Sequence, residues 1–409
     1  MKTMKVTETS TGEKRFPGVG TDAFFALIRR GLGISAEPLP DGIDFSELFT
    51  LAKAQQLTAL IFTGAAEDER FAGSDVFAEF FREGTRAMRF CRMISEKTDE
   101  ISDAFRNAGV DHILLKGARL KNYYPKKGFR FMSDCDILIK AGDYPLTREI
   151  MTGLGYDPAL EKEEREYVWK NGDMAAELHT SLIYGEPGAI DDYYSVRLPV
   201  IAHMREGEKM RFSPEDEYVY IFTHFAKHYR HLGAGMKYVI DLYLYEKAHP
   251  DMDHDYIKDQ LELLKLDRFY EHISALIDLG FRGGKGDDRS GFLAEKLTYT
   301  GVYGLSEKYL AMRALYYKTA NPRLQRFRET VFPGAEDKGM TDRYPYLKKY
   351  PFLLPAAWVC RWTRLIFHDR KRIKKTLATV NELSPENLGR FTRDLEFAGF
   401  YPEESDKKE

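Results

Sequence analysis

The chain has 409 residues, 43% of them apolar and 31% charged, with a formal net charge of −3. That length allows two or three domains with sizeable cores, and the near-neutral charge excludes a global attraction to nucleic acid or anionic membrane. Cys91, Cys135 and Cys360 lie far apart and fit neither a disulfide framework nor a zinc knuckle, which suits a reducing cytoplasm.

Met1 to Gly18 is polar and reads as a disordered tail over residues 1–19, not as a secretory signal. Residues 20–109 read as helical. Asp22 can cap a helix ending near Gly31 to Gly33, Asp44 or Ser46 opens another, and Ser74 to Ala108 has apolar residues at helical spacing up to Gly109.

Residues 110–198 change character and read as a mixed α/β core. V-D-H-I-L-L at Val110 to Leu115 is a buried strand that ends at Lys116-Gly117. A glycine there lets backbone N–H groups approach an anion, and Lys116 adds a charge suited to phosphate. A helix over Arg119 to Tyr124 precedes a strand over Asp134 to Lys140, followed by a helix over Asp143 to Gly153 and two or three antiparallel strands. Strand alternation puts Asp134 and Asp136 on one face, with Cys135 and Ile137 on the other. Two carboxylates one strand step apart repel each other unless a cation lies between them, and oxygen ligands select a hard ion such as Mg²⁺ or Mn²⁺. Alone, a D-x-D also describes a solvated strand edge. Asn171-Gly172 marks a hairpin whose second strand carries Glu177 and, two residues on and on the same face, His179. Arg130 could clamp a phosphate or pair with Asp134 or Glu177.

Residues 199–409 return to helices. Ser213-Pro214-Glu215-Asp216 is a strong helix start. That helix carries His224, Lys227 and His228, and Asp241 follows on the next. Histidines four apart with a carboxylate can bind a metal, or can line a cleft wall through structural hydrogen bonds. Gly280 to Gly291 reads as a loop or hinge. Phe352 to Cys360, the longest apolar stretch, is too short to span a bilayer. Arg361 to Lys375 is basic and amphipathic and reads as the solvated face of a terminal helix. A final helix covers Ser384 to Gly399.

The order of these pieces resembles the DNA polymerase β-like nucleotidyltransferase superfamily. More closely, the chain resembles an uncharacterised nucleotidyltransferase family through Leu115-Lys116-Gly117, Tyr123-Tyr124, Arg130, Asp134-Cys135-Asp136-Ile137-Leu138-Ile139, Leu154-Gly155-Tyr156 and Glu177-Leu178-His179. F-P-G at Phe332, Y-P-Y-L at Tyr344 and L-L-P-A-A-W at Leu353 extend the likeness, which covers about Val110 to Arg364. Where the superfamily prefers Gly-Ser or Gly-Gly in its turn, this chain has Gly117-Ala118 preceded by Lys116. The resemblance implies an α+β fold: a small mixed-sheet nucleotidyltransferase core flanked by N-terminal and C-terminal helical regions. It implies Mg²⁺- or Mn²⁺-dependent transfer of a nucleoside monophosphate from an NTP, taken as ATP, to an unidentified small-molecule or protein acceptor. Asp134, Asp136 and Glu177 would hold metal and be catalytic. Lys116, Gly117, Arg130 and Ser133 would bind the nucleotide. His179, His224, Lys227, His228 and Asp241 would contact substrate. Neither nucleic acid nor membrane is expected as a partner.

Three rivals remain open on sequence grounds. One is a nucleotide-binding regulator without turnover. The second is a metal-dependent phosphohydrolase using His224, His228 and Asp241. The third is polynucleotide end-addition, disfavoured by the charge balance.

Overall fold

The computed structural model describes residues 16–162, 165–183, 189–203, 209–231, 233–301, 328, 331–335, 337–368 and 385–401. Most of the expected tail falls outside these residues. Its last stretch does not, for Phe16 and Val19 are buried and Phe16 packs on Tyr299.

The N-terminal helices are α1 (Thr21–Gly31), α2 (Phe45–Ala54), α3 (Thr58–Ala65), the single turn α4 (Glu69–Ala72) and α5 (Phe77–Asn107). Asp44 caps α2 by accepting from the backbone N–H groups of Ser46 and Glu47. Along α5 the buried residues Cys91, Ile94, Thr98, Ile101 and Phe105 recur every three or four positions, so one stripe faces inward. Gly109, at φ +76, then turns the chain out of the helix.

Five strands follow: β1 (His112–Leu114), β2 (Asp134–Ile139), β3 (Asp157–Lys162), β4 (Glu166–Asn171) and β5 (Met174–His179), in the order β1-β2-β5-β4-β3. β1 pairs antiparallel with β2. β3, β4 and β5 form an antiparallel meander, and β5 returns parallel to β2. Asn171 pairs with Met174, so the tight turn is Gly172-Asp173, one residue beyond the expected pair. Gly172 takes φ +59 there.

One sheet face is apolar. Cys135, Ile137 and Ile139 of β2, Trp169 of β4, and Ala176 and Leu178 of β5 pack with Ile94, Ile101 and Phe105 of α5 and with Met151 of α7 (Tyr144–Gly153). The alternate residues Asp134, Asp136, Glu177 and His179 are thereby turned to the opposite face.

The expected helix at Arg119 starts earlier and is shorter: α6 is Lys116–Leu120, followed by a 3₁₀ turn over Lys121–Tyr123. Lys116 itself has φ +46, a conformation unusual for a residue with a Cβ. Beyond the sheet come α8 (Ala189–Ile201), α9 (Pro214–His231), α10 (Met236–Ala248), α11 (His254–Leu263), α12 (Asp267–Ile277) and α13 (Asp288–Thr300). The loop expected over Gly280–Gly291 is shorter than its glycine content suggests. A π-helical turn carries α12 on to Arg282, and Asp287 with Ser290 forms a capping box that starts α13.

Contacts divide the chain into two units, one within Met1–Tyr229, Gly233–Gly304 and Phe397–Glu409, the other within Arg230–Leu232 and Leu305–Glu396. In the second, helices Lys338–Arg343 and Leu354–His368 bracket a small core of Met340, Leu347 and Ala357. Arg361 to His368 of the basic segment is helical, and its remainder lies outside the described residues. The last helix runs Pro385–Ala398.

Candidate active site

Parallel pairing of β2 with β5 sets Asp136 directly beside Glu177. His179, two residues along β5, turns its ring back so that Nε2 lies 2.9 Å from Asp136 Oδ1 and 3.6 Å from Glu177 Oε2. Asp136, Glu177 and His179 offer three ligand atoms within 4.8 Å of one another, the metal-competent group found among the described residues. Two carboxylates and an imidazole form a donor set for a divalent cation. Asp134 is not one of these three, and His179, expected only as a substrate contact, is. The register explains why: Asp134 pairs with Ala175, one strand step away, where β5 carries no acid.

Lys116 supplies the countercharge. Its Nζ donates to Asp136 Oδ1 at 2.6 Å, from the strained first residue of α6. Burial opposes ionisation of Asp136, but the charge of Lys116 and the hydrogen bond from His179 hold its carboxyl well below the ordinary carboxylate range. Burial likewise opposes the charge on Lys116, and Asp136 overcomes it, leaving the ammonium above its ordinary value. Asp134 lacks such a partner. Burial and the charges of Asp136 and Glu177 push it up to about 6.

The other expected residues divide into two groups. Arg130 is not paired with Asp134 or Glu177. Its Nε donates to both oxygens of Asp241 at 2.8 and 2.9 Å, and the Tyr124 hydroxyl donates to the same carboxylate at 2.8 Å. Arg130 and Asp241 are both buried, so they tie the segment before β2 to α10. Gly117 is buried too. A Cβ there would meet the Met132 side chain tightly at 3.3 Å and Arg130 at 3.7 Å. Ser133 is exposed, just before β2.

His224 and His228 share one face of α9 and meet each other, Nε2 to Nε2, at 3.2 Å. Burial, with Lys116 and Lys237 nearby, pushes His228 down to about 3, and burial with Lys116 depresses His224 as well. Both are therefore neutral hydrogen-bonding groups at pH 7. Asp241 is committed to Arg130 and Tyr124, so these three do not form the metal-ligand cluster that the phosphohydrolase alternative requires. Lys227 lies on the same helix, half-buried.

Sequence reading missed Lys237. It donates to Gln56 Oε1 at 3.0 Å, next to Gln55, whose side chain holds the first N–H of α10. Burial and the charge of Arg130 push it down to about 7. Its place one helical turn before Asp241 was the available signal. Tyr220 was missed too, although Tyr220, His224 and His228 recur every four residues along α9.

The matching family model, described as an uncharacterised nucleotidyltransferase, covers residues 41–282. The match takes in α2 to α5 before the sheet and stops short of the F-P-G, Y-P-Y-L and L-L-P-A-A-W segments. No curated protein and no solved structure matches the chain. The matched span contains the sheet, the Lys116 helix and every acid and imidazole of the cluster, and the chain belongs to this uncharacterised nucleotidyltransferase family.

Proposed function

We propose that the protein transfers a nucleoside monophosphate from an NTP, ATP in the first instance, to an acceptor, releasing pyrophosphate. The observation that carries this reading is the Asp136–Glu177–His179 cluster across two paired strands of a nucleotidyltransferase-family sheet. These three residues would hold a divalent cation, Mg²⁺ or Mn²⁺, which when bound neutralises the polyphosphate and stabilises charge on the attacking and leaving oxygens.

The reacting acceptor atom forms a bond to the α-phosphorus. The bond from that phosphorus to the bridging oxygen breaks, and pyrophosphate leaves with the electron pair. The acceptor's proton passes to Asp134, whose carboxyl lies near 6 and outside the tight trio. Lys116 keeps Asp136 ionised, and with a cation held at Asp136 its ammonium would be free to donate to phosphate oxygens. Arg130, Tyr124 and Asp241 act through position, fixing α10 against the loop that leads into β2. Among the described residues no helix is long and apolar enough to cross a membrane, and Cys91, Cys135 and Cys360 are free thiols. The three free thiols support a reducing compartment as part of this proposal.

The close Lys116–Asp136 pair also favours a second reading, a nucleotide-binding regulator in which the ammonium permanently replaces a metal. Labelled NTPs with Mn²⁺ and cell extract separate the two. Transfer of label by wild type, abolished in Asp136→Asn and Glu177→Gln, supports the transferase. Tight NTP binding with no label transferred from any NTP would retire it in favour of the regulator.

A further inference from the structure

The hydroxyl of Tyr220 is buried and has no hydrogen-bond partner. Its immediate neighbours are satisfied. The Tyr194 hydroxyl donates to Thr223 Oγ1, and that of Tyr218 donates to Glu246. Folded proteins rarely leave a buried hydroxyl unpaired, and each exception asks for a partner such as an ordered water, an ion or a ligand.

The ring of Tyr220 is held firmly. It stacks on Phe212 at 6.0 Å and meets Tyr194 edge-on at 6.4 Å, with His224 6.3 Å away on the next turn of α9. Arg119 of α6, the helix that begins at Lys116, donates to Glu217 one turn before Tyr220 on α9, so α6 lies against the turn that carries Tyr220. Burial raises its phenol far above the ordinary value, the positive charge of Lys116 opposes this, and the negative charges of Asp136, Glu217 and Glu177 add to it. The group therefore stays an O–H at any working pH. A protonated phenol is a poor metal ligand and a good donor to an anion.

We infer that Tyr220 is a substrate-binding residue whose O–H donates to a phosphate oxygen of the polyphosphate held over Asp136 and Glu177. This rests on the nucleotide-binding half of the proposed function, because it requires a phosphate at the acid cluster. Tyr220 and Lys116 then offer the phosphate one neutral and one charged donor.

The test is Tyr220→Phe, which removes only the hydroxyl, beside Tyr218→Phe, which removes a satisfied one. Inorganic pyrophosphate with Mn²⁺ is titrated calorimetrically, Mn²⁺ is titrated alone, and melting is followed without divalent ion. Tyr220→Phe should bind pyrophosphate about tenfold or more weakly, as for a lost hydrogen bond to a charged group. Its Mn²⁺ affinity should be unchanged and its Tm unchanged or higher. Tyr218→Phe should melt lower and bind pyrophosphate like wild type. The inference is overturned if Tyr220→Phe binds pyrophosphate like wild type, if its Tm drops as far as that of Tyr218→Phe, or if wild type binds no pyrophosphate. NTP label transfer is scored separately: pyrophosphate binding that depends on Tyr220 in a protein that transfers no label would sink the transferase reading and leave this donor in place.

Discussion

Lys116→Met tests the electrostatics of the site most directly, because its two effects have opposite signs. The ammonium lies 2.6 Å from Asp136 Oδ1, with side chains 21% and 7% exposed. Coulomb attraction at that distance and an effective dielectric of 20 is about 6 kcal/mol, before desolvation is subtracted. Removing one member of a buried pair costs about 3–5 kcal/mol. Here His179 still donates to the same oxygen, and Lys116 is partly wet, so a loss of about 2–4 kcal/mol is expected in metal-free protein. For a unit of this size that lowers Tm by roughly 4–8 °C. Asp136 is depressed in the folded state, so the stability it contributes is present above its ordinary carboxylate range and lost as pH falls through the depressed value. The penalty should therefore shrink in acid. Divalent affinity should move the other way: wild type must expel an ammonium from Asp136 to bind a cation, and the variant need not. The assay is Mn²⁺ titration with melting curves at each metal concentration. Mn²⁺ should bind Lys116→Met more tightly than wild type and restore most of the lost Tm. Weaker Mn²⁺ binding, or an unchanged metal-free Tm, would refute the view that this ammonium occupies the charge position of a cation.

Asp134→Asn should stabilise metal-free protein at pH 7. The folded carboxyl is raised to about 6 from 3.8, so its stabilising effect is full below about pH 4 and lost as pH rises through 6; melting from pH 4 to 8 should show that fall in wild type and a flatter profile in the variant. Lys237→Met should raise Tm at neutral pH, because Lys237 is depressed to about 7 from 10.5 and its ionised form is disfavoured in the fold. The gain should be greatest at pH 7 and below, and should vanish as pH approaches 10.5; a gain independent of pH would point to packing. Arg130→Met and Asp241→Asn should each cost about 3–5 kcal/mol in urea unfolding, since either leaves a buried partner uncompensated. If either variant keeps full stability and loses only NTP affinity, Arg130 is the phosphate clamp that the sequence suggested.

Period-two alternation is a local property of a chain, and it was enough to show that Asp134 and Asp136 lie opposite Cys135 and Ile137. Hydrophobic spacing likewise showed α5, and the Ser213-Pro214 start showed α9. Gly172 marked the hairpin to within one residue, because a tight turn needs a positive φ that glycine supplies. The partners of these groups were not local. Asp136 meets His179 across 43 positions, and Arg130 meets Asp241 across 111. No periodicity encodes that β5 returns parallel to β2 with Glu177 beside Asp136, or that Asp134 falls opposite an alanine. The same holds for Lys116, which read as a phosphate ligand at a strand end and turned inward to a carboxylate once the sheet had buried that charge. The sequence determined which groups could do chemistry and which face of each strand they take. Only strand register and helix packing decided which charges meet, because burial and pairing depend on neighbours that the fold brings from far along the chain.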